Sequence, residues 1–226
     1  LRLPHSDFYT RGPSGPFFYP LTDMPFPTNA VSTELDAVNQ ILSSVGQAPV
    51  TTLNLQNPEV AIPFNTLKEI SKEVQLEGWS FNVERDYELQ PDTNNQIKFP
   101  SNVLYYDSNE YHRGDYDLVR RDGKLYDRLH HTYTFTKNVR LDITWYFDFQ
   151  DLPPAIQAYI TARAARICAV KMIADANLQG MLEEQERMAR AFAIEQDCNQ
   201  ADYSMFGWKD GENYYTTYQP FHALRR

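Results

Sequence analysis

The chain has 226 residues, of which 42% are hydrophobic, and its formal net charge at pH 7 is −9. This length accommodates one large domain or two small ones, and the apolar content is sufficient for a hydrophobic core. The negative charge argues against a sequence-independent nucleic-acid-binding protein, because such a protein needs a basic surface. The negative charge is compatible with a protein that forms an acidic wall past which DNA slides without binding. No apolar run reaches the roughly 18 residues of a membrane span, and we expect neither a membrane partner nor a signal peptide.

Residues 1–30 contain six prolines with aromatic residues between them. Proline at this density excludes a helix and disfavours a central strand. One interpretation is a disordered tail. The other is an extended arm that docks in a groove of its own core or of a neighbouring subunit, and the aromatics favour it because exposed aromatic surface is unfavourable. The aromatic residues of this arm that we expect at an interface are Phe8, Tyr9, Phe17, Phe18 and Tyr19.

Two short helices are predicted after the arm. Thr33 is a good N-cap with Asp36 at the capping-box position, and Gly46 ends the first helix. The second helix is predicted to open at Asn57-Pro58 and to end at Gly78, and Pro63 is expected to delay or kink it. Each helix carries a single apolar stripe.

From Trp79 the apolar period changes to two, which is typical of strands. Asp122-Gly123 separates two short strands and predicts a tight hairpin. The further strands are predicted at 79–84, 97–99, 103–106, 130–135 and 139–147. The last alternates most cleanly, with Val139, Leu141, Ile143, Trp145 and Phe147 on one face. Residues 79–150 are therefore predicted to form an antiparallel β-domain.

The segment from Leu152 to Asn199 is predicted to be a helical hairpin that opens at Pro153-Pro154 and breaks near Asn177. On the second helix, the residues of the predicted buried face are Met181, Leu182, Met188, Ala189 and Phe192. On its other face, Glu183 is placed four residues before Arg187, and Glu186 four before Arg190, which predicts two ion pairs along the helix.

These patterns together predict an α+β fold. Residues 31–78 and 151–199 form a four-helix bundle from an N-terminal and a C-terminal helical pair, and the β-domain is inserted between them. Residues 1–30 and 200–226 are predicted to be extended arms, and the second is expected to dock, as the first does, on its own chain or on a neighbour. The residues of this second arm that we expect at an interface are Tyr203, Phe206, Trp208, Tyr214, Tyr215, Arg225 and Arg226.

No catalytic, cofactor or metal site is predicted. His130, His131 and His112 could suggest a metal site. However, adjacent residues of a regular strand point to opposite faces, so His130 and His131 cannot both bind one ion. Loop carboxylates are available for a glycosidase-like pair, but we interpret them as ordinary surface groups: Asp107, Glu110, Asp115, Asp117 and Asp127. Cys168 and Cys198 lie in predicted helices, and we interpret both as small buried side chains, compatible with a reducing compartment.

Several segments, in order and with similar spacing over about residues 33–206, resemble the tail tubular protein A family, the adaptor proteins of short-tailed bacteriophages. The most specific parts of this resemblance are Gly78-Trp-Ser-Phe-Asn-Val-Glu84 and the Val-Asn-x-Ile-Leu…Gly-x-x-Pro-Val pattern. The segments that carry the resemblance are Ala37–Val50, Gly78–Glu84, Asp122–Arg128, Leu152–Pro154 and Gly180–Glu186. The resemblance covers neither the arm before Thr33 nor most of the chain after Phe206.

The resemblance implies a non-enzymatic virion protein of the tail, assembled in the host cytoplasm. It implies a ring, dodecameric in the family, whose partners are the portal protein, the tail nozzle (tail tubular protein B), tail fibres, and DNA that passes through the channel without specific binding. Glu183, Glu186, Arg187 and Arg190 are then candidates for the seam between subunits. The alternative is a virion-associated polysaccharide hydrolase, which would need a paired-carboxylate cleft.

Overall fold

The computed structural model describes residues 32–108 and 116–201. The order of its elements is α1 (Glu34–Ser44), α2 (Pro58–Leu76), β1 (Val83–Leu89), β2 (Val103–Ser108), β3 (Leu118–Arg121), β4 (Lys124–Asp127), β5 (Val139–Trp145), a 3-10 turn (Phe149–Asp151), α3 (Pro154–Met172) and α4 (Ala176–Gln200). The fold is α+β, with four helices and antiparallel sheets in the described part. The predicted arm at 1–30, and nearly all of the one at 200–226, lie outside the described residues.

The start and end signals of the first two helices act as predicted. The Thr33 hydroxyl accepts a hydrogen bond from the Asp36 backbone N–H, and the Asp36 carboxylate accepts one from Thr33. Gly46 and Gly78 adopt positive φ, 76° and 79°, beyond the ends of α1 and α2. Pro63 does not delay α2, because Asn57 caps the helix and Pro63 lies buried inside it. Pro63 has no backbone N–H, so α2 lacks one hydrogen bond there, which a helix stabilised by tertiary packing tolerates.

The larger sheet has the strand order β1-β5-β2, and both pairings are antiparallel. The alternation predicted for β5 is confirmed, since Val139, Leu141, Ile143 and Trp145 are buried in one hydrophobic cluster. The smaller sheet is the β3–β4 hairpin, where Asp122 and Gly123 both have positive φ, as a tight hairpin turn requires.

Three predicted strands are wrong in part or in full. Residues 79–82 form a turn, and β1 begins only at Val83. Residues 130–135 contain turns and isolated bridges, and His131 has a positive φ of 55°, outside the range of regular strand backbone. Residues 97–99 are likewise joined to the hairpin by an isolated bridge, Lys98 to Lys124. In the last two segments the apolar alternation reflects burial, and the backbone pairing consists of isolated bridges instead of a continuous ladder.

The helices share one hydrophobic cluster, in which α3 is the common element because it packs against α1, α2 and α4. The strands supply a second cluster. Phe147 packs against both clusters, and α2 also contacts β2 and β5. Trp79 belongs to the helical cluster, so its side chain packs with the helices and not with the cluster of the strands.

The hairpin of α3 and α4 is confirmed, but its break lies earlier than predicted. Ala174 has a positive φ of 59°, and Asp175 caps α4 by accepting a hydrogen bond from the Asn177 backbone N–H at 2.9 Å. Asn177 therefore lies inside α4. A short polar side chain within two residues of a helix start is ambiguous in sequence, because Asp and Asn are both good caps.

The predicted buried face of α4 is wrong for three of its residues, which we call the α4 stripe: Met181, Met188 and Phe192. Their exposed fractions are 69%, 64% and 52%, whereas Leu182 and Ala193 are buried. The stripe positions follow one another at steps of seven and four residues, so they share a face. The apolar sector of α4 is wider than the strip that α3 covers, and its outer part remains uncovered by the described residues.

Candidate interaction surface

The Gly-Trp-Ser-Phe-Asn segment is a structural joint, which we call the α2–β5 junction. The Asn82 side-chain amide donates to the Gln75 carbonyl at 2.8 Å and to the Trp145 carbonyl at 3.0 Å. Its Oδ1 accepts the Trp79 backbone N–H at 2.8 Å. Asn82 is fully buried, so these bonds replace water and join the end of α2 to β5.

The Trp79 side chain closes the end of α2. Its indole N–H donates to the Val74 carbonyl at 2.8 Å, and this carbonyl in the last turn of α2 also accepts the Glu77 backbone N–H at 3.1 Å. Its ring meets Tyr159 edge-on, with the ring centroids 6.3 Å apart. This position needs the positive φ of Gly78 just before it, because the chain reverses direction there.

Ser80 connects the same joint to the far end of α4. Its backbone N–H and its hydroxyl both donate to Asp197 Oδ1, at 2.8 and 2.6 Å. These bonds span 117 residues in sequence and hold the last turns of α4 against the junction. The position of α4 is therefore set at both ends, by the short connection from α3 and by Asp197.

Between these ends, Leu182 and Ala193 of α4 are buried in the helical cluster, and an ionic network with Arg163 at its centre also attaches the helix. Arg163 lies 2.5 Å from Glu73, 3.2 Å from Glu77 and 3.9 Å from Glu186, and it also donates to the Tyr159 hydroxyl. Partial burial opposes the charge of Arg163, but the Tyr159 hydrogen bond and the nearby carboxylates raise its pKa overall. The network joins α2, α3 and α4.

The ion pairs predicted along α4 are wrong. Glu186 pairs with Arg166 of α3, and Arg190 pairs with Glu77 at 3.2 Å. Arg187 pairs with Glu184, three residues away. Side chains at a helix-helix seam reach across it when the neighbouring helix offers an opposite charge, and then spacing along one helix does not determine the partner.

The structure places the sequence-predicted interface residues in two groups. Glu183, Glu186, Arg187 and Arg190 lie on α4, where Glu186 and Arg190 have partners within the chain and Glu183 and Arg187 are exposed. The aromatic residues at 8–19 and the aromatic and basic residues at 203–226 lie outside the described residues. Sequence reasoning missed the exposure of the α4 stripe, although its regular spacing was visible.

The carboxylates considered for hydrolysis are used in structural contacts where they are described. Asp127 is buried, and its Oδ1 accepts backbone N–H groups of Asp117 and Leu129 while Oδ2 meets His130 Nδ1 at 2.5 Å. Burial opposes ionisation of Asp127, but these hydrogen bonds outweigh it and lower its pKa. Asp117 pairs with Arg128 at 2.6 Å. Glu110, His112 and Asp115 lie outside the described residues.

The cysteines behave differently from each other. Cys168 is buried in α3, and burial raises the pKa of its thiol. Cys198 is exposed on α4, so the prediction that it is buried is wrong. Within 32–108 and 116–201, no three His, Cys, Asp or Glu side chains form a group that could hold a metal. No helix in this part is long and apolar enough to cross a membrane.

The model of the tail tubular protein family matches residues 35–203. The chain belongs to the tail tubular protein family. It is also similar to tail tubular protein A of Klebsiella phage KP34, with 30% identity over 156 residues, which are 68% of this chain and 81% of the relative. The resemblance inferred from the sequence is thereby confirmed.

This tail tubular protein is a structural component of a bacteriophage tail, and therefore of the virion. The matched region contains α2, α3, α4 and all five strands, and α1 except its first residue. The α2–β5 junction and the α4 stripe lie within it, whereas residues 204–226 lie beyond it. The comparisons give no support to the hydrolase alternative.

Proposed function

We propose that this tail tubular protein is the adaptor of the tail, a ring that joins the portal to the nozzle. The observation that carries the proposal is the family match over nearly the whole described chain, together with the identity to tail tubular protein A. In this proposal the ring is dodecameric and assembles in the host cytoplasm, and tail fibres attach near the joint to the nozzle.

The exposed charges of α4 provide a physical basis for contacts between subunits. Glu183 and Arg187 are exposed and stand four residues apart, and Arg187 pairs only with Glu184 on its own helix. Glu186 and Arg190 pair with Arg166 and Glu77 on other helices. We therefore assign the seam of the ring to the Glu183–Arg187 side of α4, with Glu186 and Arg190 as the residues that orient it. Glu183 and Arg187 supply one charge of each sign, which favours a defined register between neighbours.

The acidic composition supports a channel through which DNA passes without being held. The chain has 30 acidic and 21 basic residues. A wall with excess negative charge repels phosphates and so keeps DNA mobile. The sheets are assigned to the nozzle and the fibres. The segments before Thr33 and after Ala201 are assigned to the portal or to an adjacent subunit, because aromatic side chains are the usual anchors of interfaces.

The test is reconstitution with the portal and nozzle proteins of the same phage, followed by electron microscopy. We expect closed rings of twelve copies between portal and nozzle. The Arg187→Glu variant should form fewer rings, whereas Lys72→Glu, an equal charge reversal at an exposed position of α2, should form them normally. Failure of the unaltered chain to bind either partner would contradict the adaptor role.

A further inference from the structure

The α4 stripe is an apolar surface that the described residues leave open. Met181, Met188 and Phe192 are each more than half exposed, and they extend over about 16 Å along the helix axis. Large apolar side chains in a row on a soluble protein mark a contact surface. Their helix is already fixed to the rest of the chain on another side, through Leu182, Ala193 and the Arg163 network. The stripe is thus a free face on a well-positioned helix.

We propose that, in the free chain, this stripe is covered by residues 202–226 of the same molecule, folded back along α4. These 25 residues follow directly on Ala201, the C-cap of α4. The path from Ala201 back to Met181 is about 30 Å at the rise of a helix. A segment of this length reaches up to about 80 Å when extended, so it covers the stripe without strain.

The composition of this segment fits the stripe. Residues 203–208 hold Tyr203, Phe206 and Trp208, and about seven extended residues already reach back past Phe192 to Met188. Methionine sulfur makes favourable contacts with aromatic rings, and its flexible chain adapts to their shape. A helix face with two methionines is therefore suited to a run of aromatic side chains.

The charges of the segment agree with an antiparallel return. A chain that folds back from Ala201 at the extended rise brings Lys209 toward the beginning of α4, because about eight extended residues span that part of the helix. Glu183 and Glu184 stand there, both exposed. Opposite charges at this end favour the proposed direction.

The covalent connection favours this occupant over others. A segment tethered next to its binding surface has a high effective concentration, which a second copy lacks. The N-terminal arm is tethered as well, but at Ser32 and not at the end of α4. Residues 204–226 also lie outside the match to the tail tubular protein family, so this cover would be a feature of the present chain. The inference rests on the geometry of α4 and does not depend on the ring.

Methionine oxidation in the full-length chain tests the proposal. Hydrogen peroxide converts exposed methionine to its sulfoxide, and mass spectrometry gives the rate for each residue. We expect Met181 and Met188 to oxidise severalfold more slowly in the folded chain than in urea. Met172, which packs against the helical core, serves as the internal reference for an intact fold.

Two double variants of the full chain identify the occupant. Phe206→Ser with Trp208→Ser should accelerate the oxidation of Met188 severalfold and leave Met172 unchanged. Phe17→Ser with Phe18→Ser, the same kind of change in the other aromatic segment, should leave both rates unchanged. The proposal is overturned if Met188 oxidises at the unfolded rate in the unaltered chain. It is also overturned if the second variant accelerates the oxidation of Met188, because the N-terminal arm would then be the cover. Faster oxidation of Met188 on dilution would overturn it as well, because a second copy would then be the cover.

Discussion

The side-chain amide of Gln75 satisfies both backbone groups of Phe147. The Phe147 N–H donates to Gln75 Oε1 at 2.8 Å, and Gln75 Nε2 donates to the Phe147 carbonyl at 3.0 Å. Gln75 is fully buried on α2, and Phe147 follows β5 and packs against both hydrophobic clusters. One glutamine thus continues the hydrogen bonding of the sheet into the helical layer at the α2–β5 junction.

Replacing Gln75 with leucine should destabilise the protein. The substitution leaves two backbone groups of Phe147 without partners in a buried place, which costs about 1–3 kcal/mol of unfolding free energy. Urea unfolding followed by circular dichroism measures this. Gln40→Leu, at an exposed position of α1, is the matched control and should change stability by less than about 0.5 kcal/mol. Equal effects of the two substitutions would show that the Gln75 amide bonds contribute nothing.

Trp79→Ala should reduce the unfolding free energy by about 3–5 kcal/mol, the usual range for a large aromatic removed from a core. It removes the contact with Tyr159 and the bond to the Val74 carbonyl. Since Trp79 belongs to the helical cluster, hydrogen exchange should accelerate first in α2 and α3. Tyr105→Ala, at an exposed position of β2, is the control. An effect confined to the β-strands would contradict this assignment.

Asp127 should make the stability depend on acid pH. Its pKa is lowered in the folded state from the ordinary aspartate value of about 3.9, so the unfolded chain binds more protons in that range. The stabilisation is present above pH 4 and is lost as the pH falls through the folded-state pKa. Unfolding free energies measured from pH 5 down to pH 2 should therefore fall less steeply for Asp127→Asn than for the unaltered chain. Parallel curves would contradict the assignment.

Arg163→Met should loosen α4. Arg163 is mostly buried among Glu73, Glu77 and Glu186, so its removal leaves carboxylates with less compensation and should cost about 1–2 kcal/mol, between the values for exposed and buried ion pairs. Arg187→Met is the control, because Arg187 is exposed and solvent screens its pair with Glu184. Limited proteolysis within α4 should increase for Arg163→Met only.

Local signals in the sequence were sufficient where the interaction itself is local. The capping box of Thr33 and Asp36, the positive φ of Gly46, the Asp122-Gly123 turn and the alternation of β5 all depend on residues a few positions apart. The family resemblance also followed from such short segments. These features determined the four helices, the β3–β4 turn and β5, and with them the α+β class and the membership in a tail protein family.

Tertiary structure alone decided which surfaces are covered and which side chains pair. Glu186 pairs with Arg166 and not with Arg190, and the Ser80 backbone N–H donates to Asp197, 117 residues away in sequence. Trp79 lies in a strand-like alternation of the sequence, but its side chain packs in the helical cluster. On α4, Leu182 and Ala193 are buried, whereas the α4 stripe is exposed. The physical reason is the same in each case. A side chain's burial and partners depend on what the rest of the chain brings against it, and the spacing along a single helix or strand does not contain that information.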